Sequence, residues 1–319
     1  MNRFEYASPT TIDQAIAAMK EGAALKAGGI DLLDRMKEGI DRPTRLVDLH
    51  GITDLRGIKL DDAGLTIGAT TTLGELAAHS AVKQSFVALA EAAASAANPQ
   101  IRNVATCGGN LLQRPRCWYF RTEEFKCLKK GGATCFAQKG ENRYHAIFGG
   151  GPSYIVHPST LATALVALGG RIKTNKRELA LAEFFTLPSA DYEKENVLGE
   201  GEILTQIIVP RPAPGTRMAF LSIKERQVYD WPLAEVAVAL QLEAGKCKSA
   251  SIVLGAAAPI PWRARKAEQA LVGKAINDES ARAAGRAAIE GAQPLAKNGY
   301  KIPMFEAAVA RTIMHTGRS

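Results

Sequence analysis

The chain has 319 residues, 46% hydrophobic and 23% charged, enough to bury a sizeable core in two or three modest domains. Forty Lys and Arg against thirty-two Asp and Glu give a net charge of +8, yet the basic residues form no concentrated stripe, which argues against nucleic-acid binding. The polar start lacks the apolar stretch of a secretory signal, no apolar run approaches the roughly 20 residues that span a bilayer, and five cysteines, an odd number, argue against a disulfide framework.

In chain order, Thr11-Ile12-Asp13-Gln14 has capping-box form, and Ile12, Ala15, Ile16 and Met19 follow at helical spacing, which predicts a helix to about Lys20. A strand over 24–27 enters a glycine turn. A helix beginning at 32–36, a strand at 45–49 and a hairpin of 57–60 with 65–69 come next. Thr72-Leu73-Gly74-Glu75 is a second capping box, and Val82, Phe86, Leu89, Ala90 and Ala93 make one apolar helical face toward Ala97. From 98 to 151 the periodicity fails, and a stretch of that length inside a compact domain is usually functional or disordered. A strand at 154–156, a helix at 161–168 and a strand at 171–174 restore the pattern. Pro210, Pro212 and Pro214 mark a boundary, after which strands at 218–224, 234–242 and 249–255 precede helices at 264–272, 279–290 and 304–315. The expected fold is α+β, with one domain over 1–214 and a smaller one over 215–319 built of a three-stranded sheet and a helix bundle. Within the first, subdomains of about 1–56 and 57–214 are expected, the latter carrying a cysteine-rich loop at about 113–153.

Ala27-Gly28-Gly29-Ile30-Asp31-Leu32 sets two glycines between a strand and a helix start, where backbone N–H groups can approach a phosphate with no Cβ in the way. A structural turn would use the same residues. The three-glycine dinucleotide fingerprint is absent, so an ordinary Rossmann NAD site is not supported. A second pair stands in Thr106-Cys107-Gly108-Gly109-Asn110, and two such loops could clasp both phosphates of one dinucleotide. With Ile67-Gly68-Ala69-Thr70-Thr71-Thr72-Leu73-Gly74-Glu75-Leu76 between them and Phe220-Leu221-Ser222-Ile223-Lys224-Glu225-Arg226 beyond, the sequence resembles the flavin-binding medium subunits of carbon monoxide dehydrogenase, xanthine dehydrogenase and bacterial aldehyde oxidoreductases.

The resemblance spans nearly the whole chain and implies a two-part FAD-binding domain of the vanillyl-alcohol-oxidase/MurB-like type. It places Lys26, Ala27, Gly28, Gly29, Ile30, Asp31 and Leu32 in the first loop against FAD, with Thr106, Gly108, Gly109 and Asn110 in the second. Thr160, standing where the family usually shows Asp, belongs to a segment that contacts the flavin's ribityl or phosphate region. Lys224 is implied as a cation beside the ring or, on the residue alone, a surface lysine at a strand end.

Cys117, Cys127 and Cys135 fall within nineteen residues, separated by nine and seven, wider than the spacing of common zinc knuckles. Leu111-Leu112-Gln113-Arg114-Pro115-Arg116-Cys117-Trp118-Tyr119-Phe120-Arg121 and Gly140-Glu141-Asn142-Arg143-Tyr144-His145-Ala146-Ile147 resemble the limits of an inserted loop that holds a 4Fe-4S cluster in the subgroup of periplasmic aldehyde oxidoreductase and hydroxybenzoyl-coenzyme A reductase. That subgroup places a fourth cysteine where this chain has Ser153, so the fourth ligand stays open among Ser153, Cys107, His145 and none. Cys107 otherwise reads as a small buried apolar residue and His157 as structural.

The resemblance implies an electron-transfer oxidoreductase subunit. Electrons would come from a molybdenum cofactor on a large partner subunit through 2Fe-2S clusters on a small one, and leave FAD for an external acceptor. The location implied is the cytoplasm, or the periplasm if a partner carries the export signal. The competing readings are a self-contained flavin oxidase, for which Tyr229 and Asp230 are the acid–base candidates, and a basic zinc-binding module without redox activity.

Overall fold

The computed structural model describes residues 1–318. Its first lobe is a parallel three-stranded sheet of order β1-β3-β2, from β1 (Glu5–Ala7), β2 (Ala23–Lys26) and β3 (Arg45–Asp48). Parallel neighbours need crossovers, which α1 (Ile12–Ala18) and α2 (Leu32–Lys37) supply. Thr11 caps α1 through Gln14 N, but the Gln14 side chain accepts from Thr10 instead of closing the expected box. Ala15, Val47, Leu49, Ile52 and Leu55 form a small core here with Ile203 from the second lobe.

The second lobe is an antiparallel five-stranded sheet of order β4-β5-β8-β6-β7. Its strands are β4 (Ile58–Leu60), β5 (Gly64–Gly68), β6 (Arg171–Thr174), β7 (Glu178–Ala180) and β8 (Leu204–Pro210). The single helix expected toward Ala97 is three: α3 (Leu73–Ala78), α4 (Ser80–Ser85) and α5 (Val87–Ser95), interrupted where His79 and Phe86 leave helical backbone angles. The capping box at Thr72 and Glu75 is complete. The aperiodic stretch holds α6 (Pro99–Arg102), α7 (Cys107–Leu111) and α8 (Trp118–Arg121) among turns. Residues 154–156, expected as a strand, have no regular structure. Next, α9 (Thr160–Ala167) is buried at every position, as befits a helix apolar all round, and α10 (Leu181–Phe184) is a single turn.

The last lobe has an antiparallel sheet of order β12-β11-β10-β9: β9 (Thr216–Ile223), β10 (Ala234–Glu243), β11 (Lys246–Gly255) and β12 (Trp262–Arg263). The expected three strands are therefore four, because the two-residue β12 pairs with Val253 and Leu254. Alternation along β10 sends Val236, Val238 and Leu240 into a core with α11 (Arg265–Leu271), α12 (Asp278–Ala288) and α13 (Lys301–Arg318). Ala237 and Val253, with Phe220, face the other way and join the core of the second lobe. Among the described residues no helix is long and apolar enough to cross a membrane.

Candidate functional site

A cavity of about 810 Å³ opens where the lobes meet, within the range of cofactor sites. Its wall takes Ala27, Gly28, Gly29, Ile30, Asp31 and Leu32 from the first loop, and Thr106, Gly108, Gly109 and Asn110 from the second. Thr160 and Lys224 complete the set from α9 and the end of β9. Lys26 is directed elsewhere: its ammonium lies 3.2 Å from Asp48 and beneath the Tyr6 ring.

The loops fit only as glycine. A Cβ on Gly28 would overlap the Val104 carbonyl oxygen, and one on Gly108 would lie 2.9 Å from the Ala69 oxygen. Gly29 sits at φ +76°, which favours glycine. Thr106 caps α7 by accepting from Gly109 N at 3.1 Å. Asn110 Oδ1 accepts from Ser159 Oγ at 2.7 Å, tying the second loop to the start of α9. Two backbone-rich loops with no side chains between them suit a pyrophosphate flanked by larger groups.

Asp31 belongs to more than the cavity. Its carboxylate is bound by Arg35, by Arg116 at 2.9 Å, by Arg121 at 2.6 Å and by the Arg114 N–H at 3.0 Å. Burial pushes its pKa up, but Arg35, Arg121 and Arg116 outweigh that and hold the carboxyl below its usual value. Three of these four donors come from the cysteine-rich segment, so one side chain fastens the first glycine loop to that segment. Sequence reading places Asp31 on the cofactor and misses this clamp, although the cluster of arginines beside Cys117 is its visible half.

Cys117, Cys127 and Cys135 line one narrow second cavity together with Ser153, Phe120 and Phe136. All are free thiols, and burial pushes Cys117 up to about 12 and Cys127 above its usual value. His145 Nε2 lies 3.2 Å from Cys117 Sγ, and burial, with Lys301 nearby, draws its pKa down to about 4. Cys107 is fully buried in the second-lobe core, away from the other cysteines' cavity, as its bland reading expects. His157 is buried too: Nδ1 accepts from Ser159 N at 3.0 Å and the ring packs edge-on against Phe185. Among the described residues, no three His, Cys, Asp or Glu stand close enough to hold a single metal ion.

At the mouth of the large cavity, Arg116 stacks over Trp231, and Tyr229 N donates to Ala97 O at 3.1 Å. Asp230 is engaged by Arg226 at 2.7 Å, which holds it below the usual carboxylate value. Close to Asp230, Lys224 also lines the cavity and donates to Ser95 O. Behind Thr160 lies Glu235, 2% exposed, which the sequence marks only as a charged residue near the start of an otherwise apolar stretch of strand.

Residues 2–212 match the profile of the FAD binding domain in molybdopterin dehydrogenase, and residues 219–315 that of the CO dehydrogenase flavoprotein C-terminal domain. The chain is 33% identical to the aldehyde oxidoreductase FAD-binding subunit PaoB of Escherichia coli K12, over 98% of each chain. It is 30% identical to the carbon monoxide dehydrogenase medium chain of Hydrogenophaga pseudoflava, over 92% of this chain and 88% of that one. The structure superposes on the solved carbon monoxide dehydrogenase of H. pseudoflava with a TM-score of 0.76 at 28% identity, covering 99% of this chain and 97% of that one. For the reconstituted enzyme of Oligotropha carboxidovorans the TM-score is 0.78 at 25% identity, covering 99% and 98%.

Proposed function

The chain belongs to the family of FAD-binding subunits of molybdenum hydroxylases, and from that membership we propose how its two cavities divide the work. It is an oxidoreductase component with the mixed α/β, two-domain FAD-binding fold of the carbon monoxide dehydrogenase medium chain. The finer reading is a vanillyl-alcohol-oxidase/MurB-like first domain over 1–214 and a C-terminal domain over 215–319.

The observation that carries the assignment is the 810 Å³ cavity into which both glycine loops open. We assign the FAD pyrophosphate to Gly28, Gly29, Gly108 and Gly109, with Thr106, Asn110 and Asp31 holding the loops in place. Lys26 acts on Asp48 at the end of the supporting strand. FAD held there would supply the storage of two electrons that arrive one at a time, chemistry that belongs to the cofactor. Lys224 contributes positive charge to the wall, which favours negative charge arriving there.

The smaller cavity we assign to a 4Fe-4S cluster held by Cys117, Cys127 and Cys135, with Ser153 in the wall as the fourth candidate. Three thiols facing one space support this, as does Lys130, whose charge favours the thiolate form of Cys127. Thiolates around a four-iron cluster stand farther apart than ligands of one ion, so the lack of a close-set trio weighs against zinc more than against a cluster. The partners are a large molybdenum-cofactor subunit and a small 2Fe-2S subunit, with an external acceptor, and the location is the cytoplasm or, carried by a partner's signal, the periplasm. A self-contained oxidase is less well supported, because its acid–base candidates are an Asp230 committed to Arg226 and a largely exposed Tyr229.

The test is the flavin and metal content of anaerobically purified protein. One FAD and about four irons per chain are expected. FAD without iron removes the cluster, and zinc without flavin overturns the assignment.

A further inference from the structure

Glu235 is a buried carboxyl on β10 with an incomplete set of partners. Its cross-strand neighbours are Ser222 on β9 and Gly255 on β11. Its side chain faces α9, where Thr163 Oγ donates to Oε2 at 3.3 Å. A Cβ on Gly255 would occupy the space of that oxygen, so the glycine makes the room. Oε1 has no hydrogen-bond partner, and neither has Ser222 Oγ. Burying a carboxyl this way disfavours its charged form and is not explained by a structural ion pair. Yet Thr160, one turn before Thr163 and so on the same face of α9, is buried and lines the FAD cavity, which places its hydroxyl between that cavity and the carboxyl.

We propose that Glu235 is a redox-linked proton acceptor: its carboxylate takes up a proton through the Thr160 hydroxyl when negative charge enters the FAD cavity, and returns it when that charge leaves. The proposal rests on FAD occupying that cavity. On uptake an O–H bond forms at the carboxylate as Thr160 gives up its proton, Thr160 regains one from water in the cavity, and that water is reprotonated from bulk solvent through the cavity mouth. The electrons are those the partner subunits deliver, and none is stored on the carboxyl. Acting through Thr160, Glu235 is a positioning residue for charge and does not touch the cofactor.

The surroundings suit the role. Burial pushes Glu235 up to about 7, against the opposing effects of Thr160, Lys224 and Thr163, so both protonation states are populated near neutrality. The charged group facing it is Lys224, itself influenced by Arg102 and Asp230. From α9 come only Thr160 and Thr163, from β11 only Gly255, and Glu91 on α5 is occupied with Phe220 N at 2.8 Å. Negative charge in the cavity raises the carboxyl's proton affinity further.

The experiment compares the midpoint potential of bound FAD against pH in the full chain, wild type and Glu235→Gln. The wild type should take up one more proton per electron pair than the variant in the interval just above neutrality. Redox-difference infrared spectra of the wild type should show a carboxylate signal exchanged for a protonated carboxyl on reduction, absent in Glu235→Gln. Thr160→Val should slow that exchange several-fold. Parallel potential–pH profiles in the two proteins overturn the proposal. If Glu235→Gln does not retain FAD, the wild-type infrared signal decides, and a silent carboxyl overturns it. A wild-type chain that binds no FAD sinks the functional assignment itself, a result distinct from these.

Discussion

Gly28 shows how little freedom the cofactor loops have. In Gly28→Ala the new methyl group meets the Val104 carbonyl, and the two loops must separate. We expect a cost of about 1–3 kcal/mol in stability and at least a tenfold loss of FAD affinity, read from urea unfolding and from flavin retained after dialysis. His157 makes a pH-dependent contribution. Its Nδ1 already accepts from Ser159 N, and burial lowers its pKa to about 3, far below the unfolded value. Between about pH 6.5 and 3 the unfolded chain therefore binds the extra proton, so stability falls as pH drops, by at most about 1.4 kcal/mol per unit. His157→Gln should flatten that slope, and unfolding free energies at pH 7 and pH 5 check it. The glycine pairs were legible because a turn between strand and helix leaves a local mark. The clamp on Asp31 and the burial of Glu235 depend on partners 83 and 72 residues away, which no local pattern encodes.

At the scale of elements, α13 holds the cysteine-rich segment to the C-terminal lobe. Lys301, at its start, is fully buried and donates to the carbonyls of Tyr144 and His145 and, at 2.7 Å, of Ala256. Just ahead of it, Asn298 Nδ2 donates to His145 O at 3.0 Å. Lys301→Met leaves the Tyr144 and Ala256 carbonyls unpaired, while Asn298 still serves His145 O, so we expect a loss of about 1–3 kcal/mol and faster proteolysis between 141 and 147, measured by urea titration and limited digestion. The amphipathic and apolar helices were readable from periodicity, and so were β9, β10 and β11. Among the shorter strands β2 to β6 were read as well, whereas β1, β7, β8 and β12 were not. In β7 three residues carry too little pattern, and β8 buries residues on both faces just before Pro210, so it reads as the approach to a boundary. The breaks at His79 and Phe86 were hidden because the apolar stripe continues through them.

For the molecule as a whole, the C-terminal sheet has one face in each of two cores, since Ala237 and Val253 pack with the second lobe while Val236 and Leu254 pack with the terminal helices. A chain cut near 214 would expose that surface on both fragments. We therefore expect a single unfolding transition, with tryptophan fluorescence and far-ultraviolet circular dichroism coinciding across a urea titration, and two separated transitions would refute it. The α+β class and the grouping of strands before helices were visible in the sequence, but sharing of a sheet between cores is a tertiary fact that hydrophobic alternation alone does not reveal. The Asp31 carboxylate has a consequence of another kind. By gripping arginines from the cysteine-rich segment while standing in the glycine loop, it fixes the gap between the two cavities. The probability that an electron tunnels falls exponentially with the gap it must cross. With FAD in the larger cavity and the proposed cluster in the smaller one, a tie that suppresses relative drift of the cavities would keep the hopping rate between them constant while the rest of the chain fluctuates.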